Sequence, residues 1–255
     1  MLVDNSLNCV FQRYFKVIYA NTLKLKQEVF KIRHTVYCEE LGWETISRNA
    51  LEQDEYDDFS YHFLIRHQPS IEYIGCVRLV SPQFLSLNQT LPCELFYPQQ
   101  DVAKAINQVN VYSSGYGEVS RLAILSNFRR RKRDYLSQTI NGDVFKLFNP
   151  EDIRVTPLIS IGLYLSVIAC ADILNNKGLF IMAAPALSKK LSRLGAPIKP
   201  ILNKVEHKGT RQLNFLKAQD IHQSLIGGTA DLYNMIKEDI LQQMNAIERK
   251  VEEIA

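Results

Sequence analysis

Cysteine is sparse and unpaired in this 255-residue sequence: Cys9, Cys38, Cys76, Cys93 and Cys170, five in all, with no CxxC spacing. An odd, scattered set offers no disulfide framework, and reduced thiols suit a cytoplasmic protein. The five histidines are as scattered, and no His/Cys group has zinc-site spacing, so no metal is expected. The N-terminus lacks a basic stretch followed by an apolar one, so no signal peptide is expected. No Pro- or Gly-rich linker divides the chain, and no internal repeat is present. The formal net charge of +3 gives no bulk attraction to nucleic acid. A G-x-S-x-G elbow and a Cys-His pair are both missing, which leaves a covalent acyl-enzyme without a nucleophile.

What is present is an ordinary apolar content and enough length for a full core. Phe11 to Ala20 reads as a short strand or helix. Val29, Ile32 and Val36 predict an amphipathic helix from Leu23 to Leu41, closed by Gly42. Thr45 to Phe59 is acidic and irregular, a loop. Tyr61–Arg66 and Tyr73–Val80 read as a hairpin around Pro69-Ser70. A helix is expected near Asp101–Asn107 and a strand over Gly117–Leu125. Pro157–Leu174 is the most apolar segment. It sits near the lower limit for a membrane span, but a turn and a strand follow it directly, so a buried helix is the expectation and no transmembrane segment is assigned. A strand (Leu179–Ala183), a helix (Ala186–Leu194) and two strands (Ile198–Val205, Gln212–Leu216) follow. Helices return between the later strands, so the fold class is α/β with a mixed central sheet. Residues 229–254 carry Leu232, Ile236, Ile240 and Ile247 on one stripe: an extra C-terminal helix, packed on the domain or free to dock a partner. The expected division is residues 1–217 as the main domain and 218–255 as the helical extension.

Polar residues stand inside or beside these apolar runs. Arg78 interrupts the strand Ile74–Val80, and a charge there is costly unless paired, so it reads as a cleft residue with an acidic partner or as part of an edge strand. Glu118 leads into Leu122-Ala123-Ile124-Leu125. Desolvation there would raise its pKa and fit it for general-base work; an exposed strand-end carboxylate is the alternative. Arg121, three residues on, shares a strand face with Glu118 only across a bulge. Asp54 and Asp57 could hold an ammonium or an arginine, or lie in a solvated acidic loop. Arg33 could balance them or grip a carboxylate bidentately. Tyr37 and Trp43 suit pocket walls and core positions equally. Arg129, Arg130, Arg131, Lys132 and Arg133 form a basic run without aromatic interleaving, so nucleic acid is not the expected partner.

The order Arg33-His34-Thr35-Val36-Tyr37, Leu41-Gly42-Trp43, Glu52-x-Asp54-x-x-Asp57, Gly75-Cys76-Val77-Arg78 and Glu118-x-x-Arg121 resembles the acyl-homoserine-lactone (autoinducer) synthases and the N-acyl amino acid synthases of the GNAT superfamily. Tyr37-Cys38-Glu39-Glu40, Pro185-x-Leu187 and His207-x-Gly209-x-Arg211 are similar to the acyltransferases of the PEP-CTERM/exosortase system in bacteria. The likeness runs from about Phe30 to about Phe215. Tyr37 stands where autoinducer synthases usually carry Phe, and the C-terminal tail is long.

The resemblance implies a GNAT-like acyltransferase fold with a bulged central strand. It implies transfer of a long-chain acyl group from a thioester to a small amine such as an amino acid. Glu118, Arg121 and Arg78 would be catalytic, and Arg33, Tyr37, Trp43, Asp54 and Asp57 would bind substrate. In autoinducer synthases the residues matching Asp54 and Asp57 help form the S-adenosylmethionine pocket, so a homoserine-lactone synthase is the alternative; a non-catalytic acyl- or carrier-protein-binding protein is another. CoA-dependent GNAT enzymes follow the bulged strand with a glycine-rich turn that cradles pyrophosphate. Here no glycine follows Leu125 until Gly142. The expected donor is therefore the phosphopantetheine thioester of acyl-carrier protein rather than acyl-CoA, with residues 129–133 meeting that acidic partner. No tightly bound cofactor is expected.

Overall fold

The computed structural model of the chain describes residues 6–81, 90–109, 115–129, 150–193 and 195–252. Seven strands form one mixed sheet: β1 (Phe15–Tyr19), β2 (Ser60–His67), β3 (Glu72–Val80), β4 (Tyr116–Ile124), β5 (Gly178–Ala183), β6 (Ile198–Glu206) and β7 (Thr210–Lys217), in the spatial order β1-β2-β3-β4-β5-β7-β6. β4 and β5 run parallel; the other paired strands are antiparallel. The helices are α1 (Leu7–Tyr14), α2 (Leu23–Arg33), α3 (Gln99–Val109), α4 (Ser126–Arg129), α5 (Pro150–Ile173), α6 (Pro185–Arg193), α7 (Ile221–Ser224) and α8 (Gly228–Glu252).

Strand alternation assigns the two faces of the sheet. Val77 and Leu79 of β3 share a cluster with Ile159, Leu163 and Val167 of α5. Cys76, between strand neighbours that face the other way, clusters with Val29, Phe30 and Ile32 of α2. So α2 covers one face and α5 the other. The window Thr156–Ile173 of α5 is long and apolar enough to cross a membrane, with mean hydropathy 1.7, yet 72% of it is buried inside the fold. Enclosure between the sheet and α8 accounts for that composition. Leu232, Tyr233, Ile236 and Ile240 of α8 join the α5 cluster. The Tyr233 hydroxyl also donates to Asp172 at 2.7 Å.

The helix beginning at Leu23 departs from its expected form. The α-helical part ends at Arg33, and His34–Glu40 continue as a π-helix. The Leu41 N–H bonds the Val36 carbonyl five residues back, at 3.1 Å. The wider turn keeps Arg33, His34, Val36 and Cys38 all buried. The Tyr37 carbonyl accepts from both Trp43 and Glu44, at 2.7 and 3.1 Å, and Gly42 takes φ +62° as the closing glycine. Over seven residues the apolar period of a π-turn differs too little from 3.6 to be read from sequence. Sequence periodicity also gives no sign of the short 3-10 turn Pro92–Phe96, which borders the site below.

Candidate active site at the fork between β4 and β5

β4 and β5 pair only from Tyr116–Gly178 to Val119–Ile181. Beyond that point Ser120, Arg121 and Leu122 of β4 and Met182 and Ala183 of β5 line a single cavity of about 420 Å³. A bulge re-aims β4 there. Cys76 pairs with Ala123 and Arg78 with Ser120, so Val77 alone faces both Arg121 and Leu122. Arg121 takes φ +51°, in the left-handed region that residues with a Cβ seldom enter. The Tyr37 hydroxyl donates to the Leu122 carbonyl at 2.7 Å, satisfying a bulge acceptor. The bulge required for Glu118 and Arg121 to act together is present, and both side chains line the cavity.

Behind the cavity lies a cluster of three arginines and three carboxylates. Arg33 of α2 donates to Glu52 and, at 2.5 Å, to Asp57. Arg78 of β3 donates to Asp54, to Asp57 at 2.8 Å and to the Ser120 hydroxyl at 3.1 Å. Arg121 lies 3.2 Å from Glu52 and 2.8 Å from Asp54. Asp57 also accepts the Asp54 N–H at 2.8 Å. Burial alone would raise the Asp57 carboxyl, but Arg33 and Arg78 hold it well below the usual carboxylate range. Asp54 is lowered in the same way, against its burial, by Arg78 and Arg121. His62 of β2, its Nε2 3.0 Å from the Asp57 carbonyl, is pushed down to about 4 by burial and stays neutral. The Arg78 partner that sequence demanded is therefore Asp54 together with Asp57. Arg33 and Arg78 are fully buried and Asp57 nearly so, one layer behind the cavity wall. Asp54 and Arg121 stand between that layer and the cavity.

Glu118 is 3% exposed, and its Oε2 accepts the Cys93 N–H at 2.7 Å. Burial raises its carboxyl to about 7, only partly offset by Cys93, Arg78 and Arg121. Tyr37 and Trp43 stack at 6.0 Å between ring centroids, 15° apart, and both line the cavity. Glu44 and Lys208 were not singled out from sequence, and Glu52, His207 and Arg211 entered only as motif residues of the resemblance, without a site role. Glu52 bridges Arg33 and Arg121. Glu44, His207, Lys208 and Arg211 line the cavity, with Lys208 paired to Glu44. Glu52 sat in the acidic run, and the other signal was the spacing His207-x-Gly209-x-Arg211.

The segment after β4 carries the remaining candidates. Glu40 accepts the Ser126 N–H at 3.0 Å and pairs with Arg129 at 2.6 Å. The amide that opens α4 is thus bonded to a protein carboxylate. Arg130, Arg131, Lys132 and Arg133 lie outside the described residues.

Residues 32–138 match the family model of the acetyltransferase (GNAT) domain. An acyl-homoserine-lactone synthase of Aeromonas salmonicida is 29% identical over 116 residues, 45% of this chain and 51% of that protein. The match therefore spans about half the length of that curated relative. Among solved structures, TofI in complex with an inhibitor and MTA superposes with a TM-score of 0.56 at 17% identity, covering 83% of this chain and 95% of that one. FeeM, an N-acyl amino acid synthase from uncultured soil microbes, gives 0.55 at 13% identity, covering 83% and 95%. BjaI, a CoA-dependent acyl-homoserine lactone synthase, gives 0.53 at 16%, covering 88% and 89%. The fold is GNAT-like, a mixed sheet flanked by helices, and the resemblance to autoinducer and N-acyl amino acid synthases stands.

Proposed function

We propose that this protein is an N-acyltransferase that moves a long-chain acyl group from a thioester to the amine of an amino acid or similar small acceptor. The observation that carries the reading is Glu118: a buried carboxyl poised at about 7 in the wall of a cavity formed where a bulged strand leaves its parallel neighbour. An acceptor enters as its ammonium. Glu118 removes a proton directly or through one water. The amine nitrogen then attacks the thioester carbonyl, the oxyanion collapses, the C–S bond breaks, and the thiolate departs, taking up the second proton that the attacking nitrogen releases as it becomes an amide. Because the thioester is already activated, no enzyme-bound acyl group is needed. Arg121 and Asp54 shape the polar end of the cavity, Tyr37 and Trp43 its aromatic wall, and Arg33, Arg78 and Asp57 hold that wall from behind.

The test is mass spectrometry of lipid extracts from bacteria expressing the chain. An N-acyl amino acid absent from cells carrying Glu118→Gln is expected. Its absence in cells containing folded protein would count against the reading. The match to the Aeromonas synthase favours one second reading, a homoserine-lactone synthase using S-adenosylmethionine. Release of methylthioadenosine with an acyl-homoserine lactone would select it. From the resemblance of Tyr37-Cys38-Glu39-Glu40 and His207-x-Gly209-x-Arg211 to the PEP-CTERM/exosortase acyltransferases we also propose a bacterial cytoplasmic enzyme serving the cell envelope.

On the donor side we favour acyl-carrier protein. Glu40 engages the amide that opens α4, and in the sequence no glycine follows Leu125 until Gly142 to cradle a donor pyrophosphate. BjaI is CoA-dependent, so the fold itself admits CoA. With matched acyl chains, kcat/KM is expected to be at least about tenfold higher for the carrier-protein thioester, through electrostatic steering. Equal or better use of acyl-CoA overturns the preference.

A further inference from the structure

The tip of the β6–β7 hairpin overhangs the cavity, and its charges do not balance as the rest of the site does. Glu206 and Thr210 close the hairpin, the His207 N–H bonds the Gly209 carbonyl at 3.1 Å, and Lys208 and Gly209 take φ +53° and +88°. The His207 ring lies 4.0 Å from Phe96, on the turn whose Cys93 N–H holds Glu118. The tip is thereby tied to the segment that fixes the base.

Each carboxylate at the polar end already has a cation: Glu52 and Asp54 have arginines, and Glu44 has Lys208. Arg211 is the exception on the cationic side. Among the described residues no carboxylate lies within the 4.0 Å of an ion pair from Arg211. Its guanidinium sits 5.4 Å over the Trp43 ring and donates to the Thr210 carbonyl at 3.2 Å. A guanidinium carries more donors than that, in a planar fork that matches a carboxylate.

We infer that Arg211 is the specificity-determining residue for the acceptor, binding its carboxylate, and that the acceptor class is free α-amino acids rather than simple amines. The inference rests on the N-acyltransferase reading. Both charges of a zwitterion have a counterpart among the lining residues, Glu118 and Asp54 for the ammonium and Arg211, held over the Trp43 ring, for the carboxylate. An amine without a carboxylate would leave the Arg211 fork unused.

Trp43 is the single tryptophan of the chain, so its fluorescence reports on this spot alone. Non-aromatic amino acids and their carboxamides would be titrated into the wild-type protein, Arg211→Gln and Arg211→Lys. At least one free acid is expected to bind the wild type about tenfold or more tightly than its carboxamide, the size of a charge-assisted pair. Arg211→Gln should erase that difference and Arg211→Lys should keep part of it. In turnover, Arg211→Gln should raise the acceptor KM about 10- to 100-fold and leave the donor KM unchanged. Equal binding of acids and carboxamides, or an acid preference that survives Arg211→Gln, overturns the inference. So does a rise in donor KM alone, which would assign Arg211 to the donor phosphate. An Arg211-dependent acid preference without any amide product would leave the carboxylate site standing and remove the transferase reading instead.

Discussion

Glu118→Gln lowers acyl transfer by about 10²- to 10⁴-fold, the usual worth of a positioned base, and makes the folded protein more stable at pH 8. Both effects follow from one cause. The carboxyl moves from an ordinary 4.5 to about 7 because its charged form is desolvated. A group with a raised folded pKa contributes stability that is full below pH 4.5 and lost as pH rises through about 7. At ~1.4 kcal/mol per pH unit, the ionised carboxylate costs the wild type about 3 kcal/mol above neutrality. Glutamine avoids that cost and still accepts the Cys93 N–H. His62, lowered from 6.5 to about 4, loses stability as pH falls across much of the same range. The useful measurement is therefore the difference between wild type and variant in urea melts. It should vanish near pH 4.5 and favour the variant by a few kcal/mol at pH 8. Activity of the wild type should rise with pH through about 7, and the variant should lack that limb. A variant that is less stable at pH 8 than wild type, or one with full turnover, refutes the assignment of Glu118 as the buried base.

Arg33→Ala is expected to destabilise the fold by about 3–5 kcal/mol, a Tm drop on the order of 10 °C. Arg33 is fully buried, and its removal leaves Glu52 and Asp57 short of a cation inside the protein. The acid limb should also move. Asp57 is held below its ordinary 3.8, so its contribution is present above that pH and lost as pH falls through the folded value. Without Arg33 that loss begins at a higher pH. Arg121→Ala makes the contrast, because its side chain is 26% exposed and Asp54 keeps Arg78. Differential scanning calorimetry of Arg33→Ala over pH 3 to 7 checks both points. A change below about 1 kcal/mol would rank the cluster with exposed surface pairs.

Legibility followed the range of the interaction. β3 runs Glu72–Val80, within one residue of its sequence reading, because the run Tyr73–Val80 is nearly all apolar and lies between Pro69 and Pro82. The bulge came from the resemblance; the spacing of Glu118 and Arg121, three apart in a strand, said only that they could share a face if one were present. That Arg78, inside an apolar strand, takes either an acid or a sheet edge was readable, but the choice of Asp54 and Asp57 came from a loop without periodicity. Lys208 was not singled out, and Arg211 entered only as a motif residue without a role, because what makes them matter, Glu44 and Trp43, lies more than 160 positions away in the chain. The π-turn was hidden by the closeness of its period to that of an α-helix.

The fork between β4 and β5 also has a history within each folding event. Antiparallel hairpins join β2 to β3 and β6 to β7 across short turns, so they zip from nearby ends. β4 ends at Ile124 and β5 begins at Gly178, and the whole of α5 must be laid across the sheet before these parallel neighbours meet. That is the costlier closure in entropy, paid before its contacts return anything. Arg33, Arg78 and their carboxylates belong to α2, β3 and the loop between α2 and β2, and can assemble beforehand. The cavity is therefore expected to form late in folding, and a ligand held in it would register the closure of the entire sheet.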